Sequence, residues 1–420
     1  MIRPILKTFV LGVVFGLGFS AVLGVALYAY KANMFDKVIG YVKSSSQSVQ
    51  AMDVVPFDDK NAPVNPYMSL SRFQQTPIPA DYSVHFVSNP SELMAALRVV
   101  AAKSGNGAIV LSDGLYNLNT TLMITVPNVM LLSKSSDPGS VILKGKGMQR
   151  SEGIENLIHV SASGFVLDGI TLKDAGNHLI QIAAEQNADM PVIRNCILQD
   201  GYEQLIKVSY DLKTPESFSD AGLVEYCLFE YTHGIGPNYY IGGIDAHGIR
   251  NWIIRNNVFK DISSPGEDIA EYAIHVWSNA SNNMIQGNVV IDSDRAIGFG
   301  MREGGVRYSN YGGTIKDNII YHSNNNDKFA DTGIALENSP KTLIEGNLIF
   351  LEHDYPRAIE YRYQTTNNVI IKKNQTNKSI ASRDGGQAKL IDNNEDLERV
   401  DFLIKLNTRL GEFGVGRFLK

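Results

Sequence analysis

The segment IIRNNVF, residues 253–259, is one copy of a short pattern that recurs through most of the chain. An apolar residue precedes two mostly polar residues, a fixed position, here Asn257, and then usually two more apolar residues. The pattern returns in VIRNCIL (192–198), LVEYCLF (223–229), MIQGNVV (284–290), TIKDNII (314–320), LIEGNLI (343–349) and IIKKNQT (370–376). The fixed positions lie 27 to 31 residues apart. A period of this length indicates a repeat architecture.

The repeated segments have the composition of strands. They are short, rich in Ile and Val and broken by Gly and Asn, whereas a helical repeat of this length needs two amphipathic helices. Parallel strands that recur once per repeat stack as coils of a solenoid about 4.8 Å apart. The asparagines at the fixed position then form one buried column in which each amide bonds to the next. Cys196 and Cys227 continue this column; a disulfide and two buried thiols both fit, and we favour the thiols.

An apolar run precedes the repeats. Residues 8–30 are 23 residues without a charge, enough to cross a bilayer as a helix. Basic residues before the run favour a cytoplasmic N-terminus and an extracytoplasmic solenoid, in the bacterial periplasm or at the cell surface. A cleaved signal peptide is the alternative. We therefore expect a single-pass membrane protein.

Small residues recur along one face of that run and predict contact with another transmembrane helix. They are Gly12, Gly16, Ser20 and Gly24. The expected order along the chain is an anchor or signal peptide (1–30), a linker (31–84), the solenoid (85–393) and a C-terminal cap or tail (394–420).

The entry into the repeats supports a specific resemblance. The segment SNPSELMAALRVVAAKSGNGAIVLSDGLY (88–116) joins an amphipathic helix to a first strand and an Asp-Gly turn. Together with the repeats, it resembles the right-handed parallel β-helix proteins of the pectate-lyase-like superfamily, over roughly residues 85–390. The resemblance implies an all-β, right-handed parallel β-helix whose open end is capped by a short helix. It also implies that the partner is an acidic polysaccharide.

The charge composition argues against nucleic acid as a partner. The chain has 44 acidic and 38 basic residues, a net charge of −6, and no basic stripe.

A second short strand follows each repeated segment, as in GIDAH (243–247) and AIHVW (273–277). Alternation points the isoleucine and the residue two positions later inward, and the third and fifth residues outward. The outward positions bring residue types used in catalysis onto three consecutive coils: Lys207, Asp245, His247, His275 and Trp277. We therefore expect a candidate site on this sheet face, with walls formed by the longer loops.

These residue types suit chemistry next to a sugar carboxylate. A uronate lyase or C5-epimerase neutralises that carboxylate, removes the C5 proton with a base and supplies an acid. We predict that His247 is the base, that Asp245 orients it, and that His275 or Arg302 assists. The predicted substrate contacts are Lys207, Arg250, Trp277, Tyr240, Glu337 and Arg362.

The segment IDAHG (244–248) also resembles, more loosely, the Asp-Pro-His-Asp segment of β-helix mannuronan C5-epimerases. The resemblance assigns Asp245 to the first aspartate and His247 to the proposed base. Ala246 and Gly248 depart from that pattern, so the substrate and the reaction do not transfer with it.

Two other functions fit the same residues. A glycoside hydrolase would pair Asp245 with Glu337 or Glu360 as acid and base. A non-catalytic carbohydrate-binding or envelope assembly protein would use the face for binding alone. No metal-ligand spacing is diagnostic. Two acidic groups are nevertheless candidates for Ca²⁺: Asp327 with Asp331, and Glu267 with Asp268 and Glu271.

Overall fold

The computed structural model describes residues 64–413 except 73, 150–153, 303–307 and 325. Successive coils contribute strands to three long sheets and one short sheet, and neighbouring strands within them are parallel. The protein is therefore an all-β parallel solenoid, the β-helix architecture that the repeat predicts.

Sheet A has twelve strands and contains the residues before the fixed position. They are Ser83–Val87, Gly107–Leu111, Val129–Ser133, Val166–Asp168, Val192–Arg194, Leu223–Glu225, Ile253–Arg255, Met284–Gln286, Thr314–Lys316, Leu343–Glu345, Val369–Lys372 and Ala388–Ile391. Sheet B has ten strands and contains the predicted second strand of each repeat. They are Leu122–Ile124, Ile158–Val160, Ile180–Ala183, Ile206–Ser209, Ile244–His247, Tyr272–Trp277, Arg295–Phe299, Ile334–Glu337, Arg357–Arg362 and Ser379–Arg383.

Sheet C has ten strands and contains the residues after the fixed position. They are Gly114–Asn117, Val141–Lys144, Thr171–Ala175, Ile197–Gly201, Leu228–Glu230, Val258–Lys260, Val289–Ile291, Ile319–His322, Leu348–Leu351 and Gln375–Thr376. Sheet D has four short strands, Ser219–Asp220, Ile249–Arg250, Ala280–Ser281 and Asn310–Tyr311.

A bend divides each repeated segment between sheets A and C, where the sequence predicted one continuous strand. The residue before the fixed position has a φ between 51° and 67° in every copy. These residues are Asn195, Tyr226, Asn256, Gly287, Asp317, Gly346 and Lys373. The left-handed conformation turns the chain at this corner, and Asn, Asp and Gly adopt it most readily.

The asparagines at the corner form the predicted hydrogen-bonded column. The backbone N–H and the side-chain Nδ2 of Asn257 both donate to Asn288 Oδ1, at 3.0 Å each. The same pair of bonds continues through the later coils and ends on Asn393, which the repeat pattern does not reveal. Because the asparagines of the repeat are buried, the column supplies partners that water cannot.

The two cysteines of the column are free thiols, as favoured from the sequence. The backbone N–H of Cys227 donates to Asn257 Oδ1 at 2.9 Å, so the amide column stops at this step. The next step is weaker, with the N–H of Cys196 3.4 Å from Cys227 Sγ. Burial raises the pKa of the Cys227 thiol, which keeps it protonated.

Among the described residues, two α-helices accompany the solenoid, besides one 3-10 turn at Ala184–Gln186. Helix α1, Pro90–Ala102, buries Leu93, Leu97 and Val100 in the central core and caps the first coil, as predicted. Helix α2, Arg399–Glu412, packs Phe402 and Leu406 along the outer face of sheet C. The C-terminal helix therefore covers a side of the solenoid and not its end.

Residues 64–82, part of the expected linker, form a strap across the outer face of sheet A. Arg194 Nη2 donates to Ser71 O at 2.9 Å, and Arg255 Nη2 donates to Met68 O at 2.6 Å. Tyr67 and Met68 pack on the apolar side chains of that face. Since the strap and α2 cover sheets A and C, the outer face of sheet B remains for a functional site.

The predicted single-pass localisation is corrected. Neither helix in the described part of the chain is long and apolar enough to cross a membrane, so the structure supports no single-pass topology. The apolar run at 8–30, with its small residues at positions 12, 16, 20 and 24, lies outside the described residues.

Replacing Asn318 with Ala tests the column. Asn318 accepts two hydrogen bonds from Asn288 and donates to Ile285 O and Asn347 Oδ1, so four buried groups lose a partner. We expect the free energy of unfolding in urea to fall by about 3 kcal/mol. The exposed Asn326→Ala is the control and changes it by less than about 0.5 kcal/mol. Equal effects of the two substitutions would exclude an energetic role for the column.

Candidate functional site

The candidate site lies on the outer face of sheet B, where register brings the predicted side chains together. Lys207 pairs with Asp245, Asp245 with His275, and His247 with Trp277 on successive coils. The residues between them point into the solenoid, and Val208 and Ala246 belong to the central core. We call Lys207, Asp245, His247, His275 and Trp277 the His247 cluster.

Asp245 is the centre of this cluster. Its Oδ2 accepts a hydrogen bond from Lys207 Nζ and lies 3.3 Å from His247 Nε2, while its Oδ1 accepts from Trp277 Nε1 at 2.6 Å. The residue is only 2% exposed. Burial raises the pKa of Asp245, but His247 and Lys207 lower it more, so the net pKa is well below its usual range. Asp245 is therefore a buried anion that holds three neighbours in place.

His247 lies against the ammonium group of Lys207, with Nε2 2.9 Å from Nζ. Burial lowers the pKa of His247; Asp245 opposes this shift, and the net pKa is below its ordinary value. The imidazole packs against Trp277, with ring centroids 4.1 Å apart. The side chains of His247 and Lys207 are 15% and 14% exposed, so both reach the surface, as does the half-buried Trp277, whereas Asp245 and His275 are buried. The site thus presents a neutral imidazole beside a cation.

His275 lies on the outer face of sheet B, but neighbouring side chains bury it. Its Nε2 donates to Gly300 O at 3.1 Å, and its Nδ1 lies 3.4 Å from Glu271 Oε2 and 3.8 Å from Asp245 Oδ1. The ring is 3% exposed and stacks on Trp277 at 5.2 Å. His275 therefore supports Asp245 and Trp277 from below.

Three residues outside the predicted site support the cluster: Glu271, Tyr272 and Arg295. Arg295 Nη2 lies 3.6 Å from Glu271 Oε2, and its guanidinium stacks 4.3 Å over the ring of Tyr272. Burial raises the pKa of Glu271, but His275 and Arg295 together lower it by more, so the net pKa is below its usual value. The alternation pattern in the sequence begins close to the isoleucine of each strand, so it does not include these positions at and before the start of the strands.

Tyr272 also packs against Gly298, which pairs with His275 on the adjacent coil. A Cβ atom on Gly298 would lie 2.8 Å from the Tyr272 ring. The ring therefore fills the space that the glycine leaves.

A second group of predicted residues lies further along sheet B. Arg362 Nη1 lies 2.5 Å from Glu337 Oε1, and the guanidinium of Arg302 lies over the ring of Tyr363. His247 pairs with Trp277, and Glu337 pairs with Arg362. The pairing of Phe299 with Val276 and with Leu336 puts Gly300, the next residue, between these two pairs in one outward column. Arg302, Glu337 and Arg362 thus form a group of their own, away from His247.

The two remaining predicted residues lie outside the cluster. Arg250 belongs to sheet D, where Nε and Nη2 donate to Asp220 at 2.7 and 2.6 Å and the guanidinium stacks 3.8 Å over Phe218. Tyr240 lies on the loop before Ile244–His247 and is 44% exposed. Burial raises the pKa of its phenol; the charge of Lys207 lowers this pKa and the charge of Asp245 raises it, and the net shift is upward. Tyr240 is therefore a protonated group at the rim of the cluster.

The acidic groups considered for Ca²⁺ do not fit a metal site. Asp327 Oδ2 lies 3.3 Å from His322 Nε2, and Glu271 faces His275 and Arg295. Ca²⁺ prefers six to eight oxygen ligands, whereas these carboxylates meet nitrogen donors. Within the described ranges, no three His, Cys, Asp or Glu side chains are arranged to hold an ion.

Comparison with solved structures returns proteins of one architecture. An alginate lyase from a Paenibacillus species covers 68% of this chain and 99% of its own, at 17% identity and a TM-score of 0.44. The A-module of an Azotobacter vinelandii mannuronan C-5 epimerase aligns with 74% of this chain and 92% of its own length, at 14% identity and a TM-score of 0.44. A tailspike of E. coli bacteriophage HK620 aligns with 75% of this chain and 57% of its own length, at 12% identity and a TM-score of 0.48.

The chain shares their parallel β-helix fold. The parallel sheets of the chain itself show this fold, as the repeat and its entry segment predict. Identities this low concern the fold alone. No family model and no curated protein matches the sequence.

A double-mutant cycle tests whether Lys207 and Asp245 act as one unit. Lys207→Met leaves Asp245 as a buried anion without its ammonium partner, so we expect a loss of about 3 kcal/mol in the free energy of unfolding. Asp245→Asn in the same chain removes that uncompensated charge, so the double variant is more stable than the sum of the single losses predicts. Urea unfolding measures all four proteins. Losses that add within about 0.5 kcal/mol would show that the two side chains are independent.

Proposed function

We propose that the protein removes the C5 proton of a uronate residue in an acidic polysaccharide, with His247 as the base. The observation that supports this most directly is the neutral, partly exposed imidazole of His247 held between the carboxylate of Asp245 and the ammonium group of Lys207. A base must be unprotonated at the working pH, and a carbanion next to a carboxylate needs a nearby positive charge. The cluster supplies both on one face of the solenoid.

The reaction follows from these positions. When a uronate binds, Lys207 Nζ turns from His247 Nε2 to the sugar carboxylate. Nε2–H of His247 then donates a hydrogen bond to Asp245 Oδ2, and the unprotonated Nδ1 takes the C5 proton, so that His247 becomes an imidazolium. The electron pair of the C–H bond moves into the sugar carboxylate, where Lys207 stabilises the added negative charge. In a lyase the pair then forms the C4–C5 double bond and expels the glycosidic oxygen at C4. In an epimerase, C5 is reprotonated from the opposite face.

The supporting residues have positioning roles in this proposal. Asp245 fixes the tautomer of His247, and His275 fixes Asp245 and the Trp277 ring. Tyr240, protonated and at the rim, is suited to donate a proton to the departing oxygen or to C5. His275 is therefore moved from the predicted catalytic set to a supporting one.

The geometry supports a glycoside hydrolase less well. That reaction needs one carboxyl group to stay protonated as the acid. Asp245 is held as an anion by its cationic neighbours. Glu337 is paired with Arg362, and Glu360 is buried and accepts from Tyr355 Oη at 2.6 Å.

His247→Ala is the direct test with the full-length chain. Supplied with mannuronate, guluronate and galacturonate polymers, the wild type should either form ultraviolet-absorbing unsaturated ends or change the C5 configuration. Removal of a general base costs about 10²- to 10⁴-fold in rate, which we expect for the variant. His85→Ala, on the first strand of sheet A, is the matched histidine control and keeps the wild-type rate.

Two results would contradict this proposal. One is turnover that survives in His247→Ala at the rate of His85→Ala. The other is binding of the polymers by the wild type without either chemical change, which would identify a non-catalytic carbohydrate-binding protein.

The dependence of kcat/KM on pH tests the charge arrangement. Because His247 must be neutral, activity falls as pH drops through its pKa, which lies below the ordinary value of 6.5. Asp245 raises this pKa and Lys207 lowers it, so Asp245→Asn should move the acid limb to lower pH and Lys207→Met to higher pH. An acid limb above pH 6.5 in the wild type, or shifts in the reverse directions, would contradict the assignment.

A further inference from the structure

A second concave site lies on the outer side of sheet B, at the ends of the later strands. It is a pocket of about 730 Å³ whose lining includes Arg302, Asn338, Arg362, Tyr363, Thr365 and Asp384. Arg362 is four steps from His247 along the outward column, about 19 Å at the coil spacing. The pocket is therefore distinct from the His247 cluster but lies on the same line along the solenoid.

Two guanidinium groups lie over the ring of Tyr363. The Cζ atoms of Arg362 and Arg302 lie 4.9 and 5.4 Å from its ring centroid. Its φ of 65° is in the left-handed region, which is unfavourable for a bulky side chain. A guanidinium that stacks on a ring keeps its N–H edge available for the two oxygens of a carboxylate.

The two arginines differ in whether carboxylate groups already bind their guanidinium groups. Arg362 is held by Glu337 and by Asp384, whose Oδ2 accepts from Nη2 at 2.9 Å. Arg302 is exposed. In the described part of the chain, its guanidinium contacts the ring of Tyr363, and its hydrogen bond to Glu337 comes from the backbone N–H, at 3.3 Å, and not from the side chain. The pocket therefore combines one fixed guanidinium with one whose charge can meet a ligand.

We propose that this pocket is a second binding subsite, which takes the carboxylate of a uronate residue several sugars away from the residue at His247. Arg302 binds the carboxylate, Arg362 holds the ring of Tyr363 in place, and the side chains of Asn338 and Thr365 face the sugar hydroxyls. The inference rests on the proposed function for the class of polymer, but the subsite binds that polymer whether or not it is turned over. It assigns Arg302, predicted as catalytic from the sequence, to substrate binding.

The subsite makes binding depend on both charge and chain length. The column between His247 and Arg362 spans four coils, so only a chain of several sugars that runs along the solenoid axis reaches both positions. A neutral chain of equal length lacks the carboxylate that Arg302 meets. Long acidic chains are thus preferred over short acidic chains and over neutral ones.

Calorimetric titration of the full-length protein tests this subsite. The probes are mannuronate, guluronate and galacturonate hexasaccharides, with a neutral glucose hexasaccharide for comparison. We expect Arg302→Ala to weaken binding of the preferred acidic hexasaccharide at least about tenfold, the usual effect of one charge-assisted hydrogen bond. Arg399→Ala removes an equally charged side chain from α2, where it is 56% exposed, and leaves the affinity unchanged. Thermal unfolding confirms that both variants are folded.

The outcomes separate this inference from the proposed function. Equal affinities of Arg302→Ala and Arg399→Ala overturn the subsite, and turnover by the same samples then still supports the role of His247. Arg302-dependent binding without turnover supports the subsite and contradicts the catalytic proposal. Equal binding of the acidic and neutral hexasaccharides by the wild type, or no binding of any acidic probe, overturns the subsite.

Discussion

The in-register stacking of coils is the constraint on which the rest of this structure depends. A column of buried asparagines fixes it, because each amide bonds both to the backbone and to the side chain of the next coil. A slip of one residue would break these bonds and would also reverse the faces of every strand. The same register that satisfies Asn257 therefore places Asp245 above Lys207 and Trp277 above His247. Scaffold and candidate site are products of a single repeat.

A buried negative charge organises the site itself. Asp245 is almost fully removed from water and remains ionised because Lys207, His247 and Trp277 all face it. An isolated carboxylate at this depth would be strongly destabilising, so these partners are required by the anion as well as by any chemistry. The arrangement leaves an imidazole that is neutral and a lysine that is charged, side by side at the surface. Such a pair is uncommon on the solvent-facing side of a sheet and is suited to proton abstraction.

The sequence predicts what periodicity controls. It gives the strand order, the asparagine column, the capping by α1 and the faces of the strands in sheet B. It does not reveal the corner before each fixed position, since a left-handed residue such as Tyr226 has no distinctive signature. It also misses Arg295, and it groups Arg302 with His247, because distances between loops and strands depend on side-chain packing. The course of α2 along sheet C is likewise set by tertiary contacts.

We propose that His247 removes the C5 hydrogen of the uronate. The most direct measurement is therefore the release of deuterium from a C5-deuterated uronate polymer into water, followed by NMR with the wild type and His247→Ala. We predict release by the wild type, with a slower rate than for the protonated polymer, and release reduced by about 10²-fold or more in the variant. Retention of the deuterium during turnover, or release at equal rates by both proteins, would contradict it.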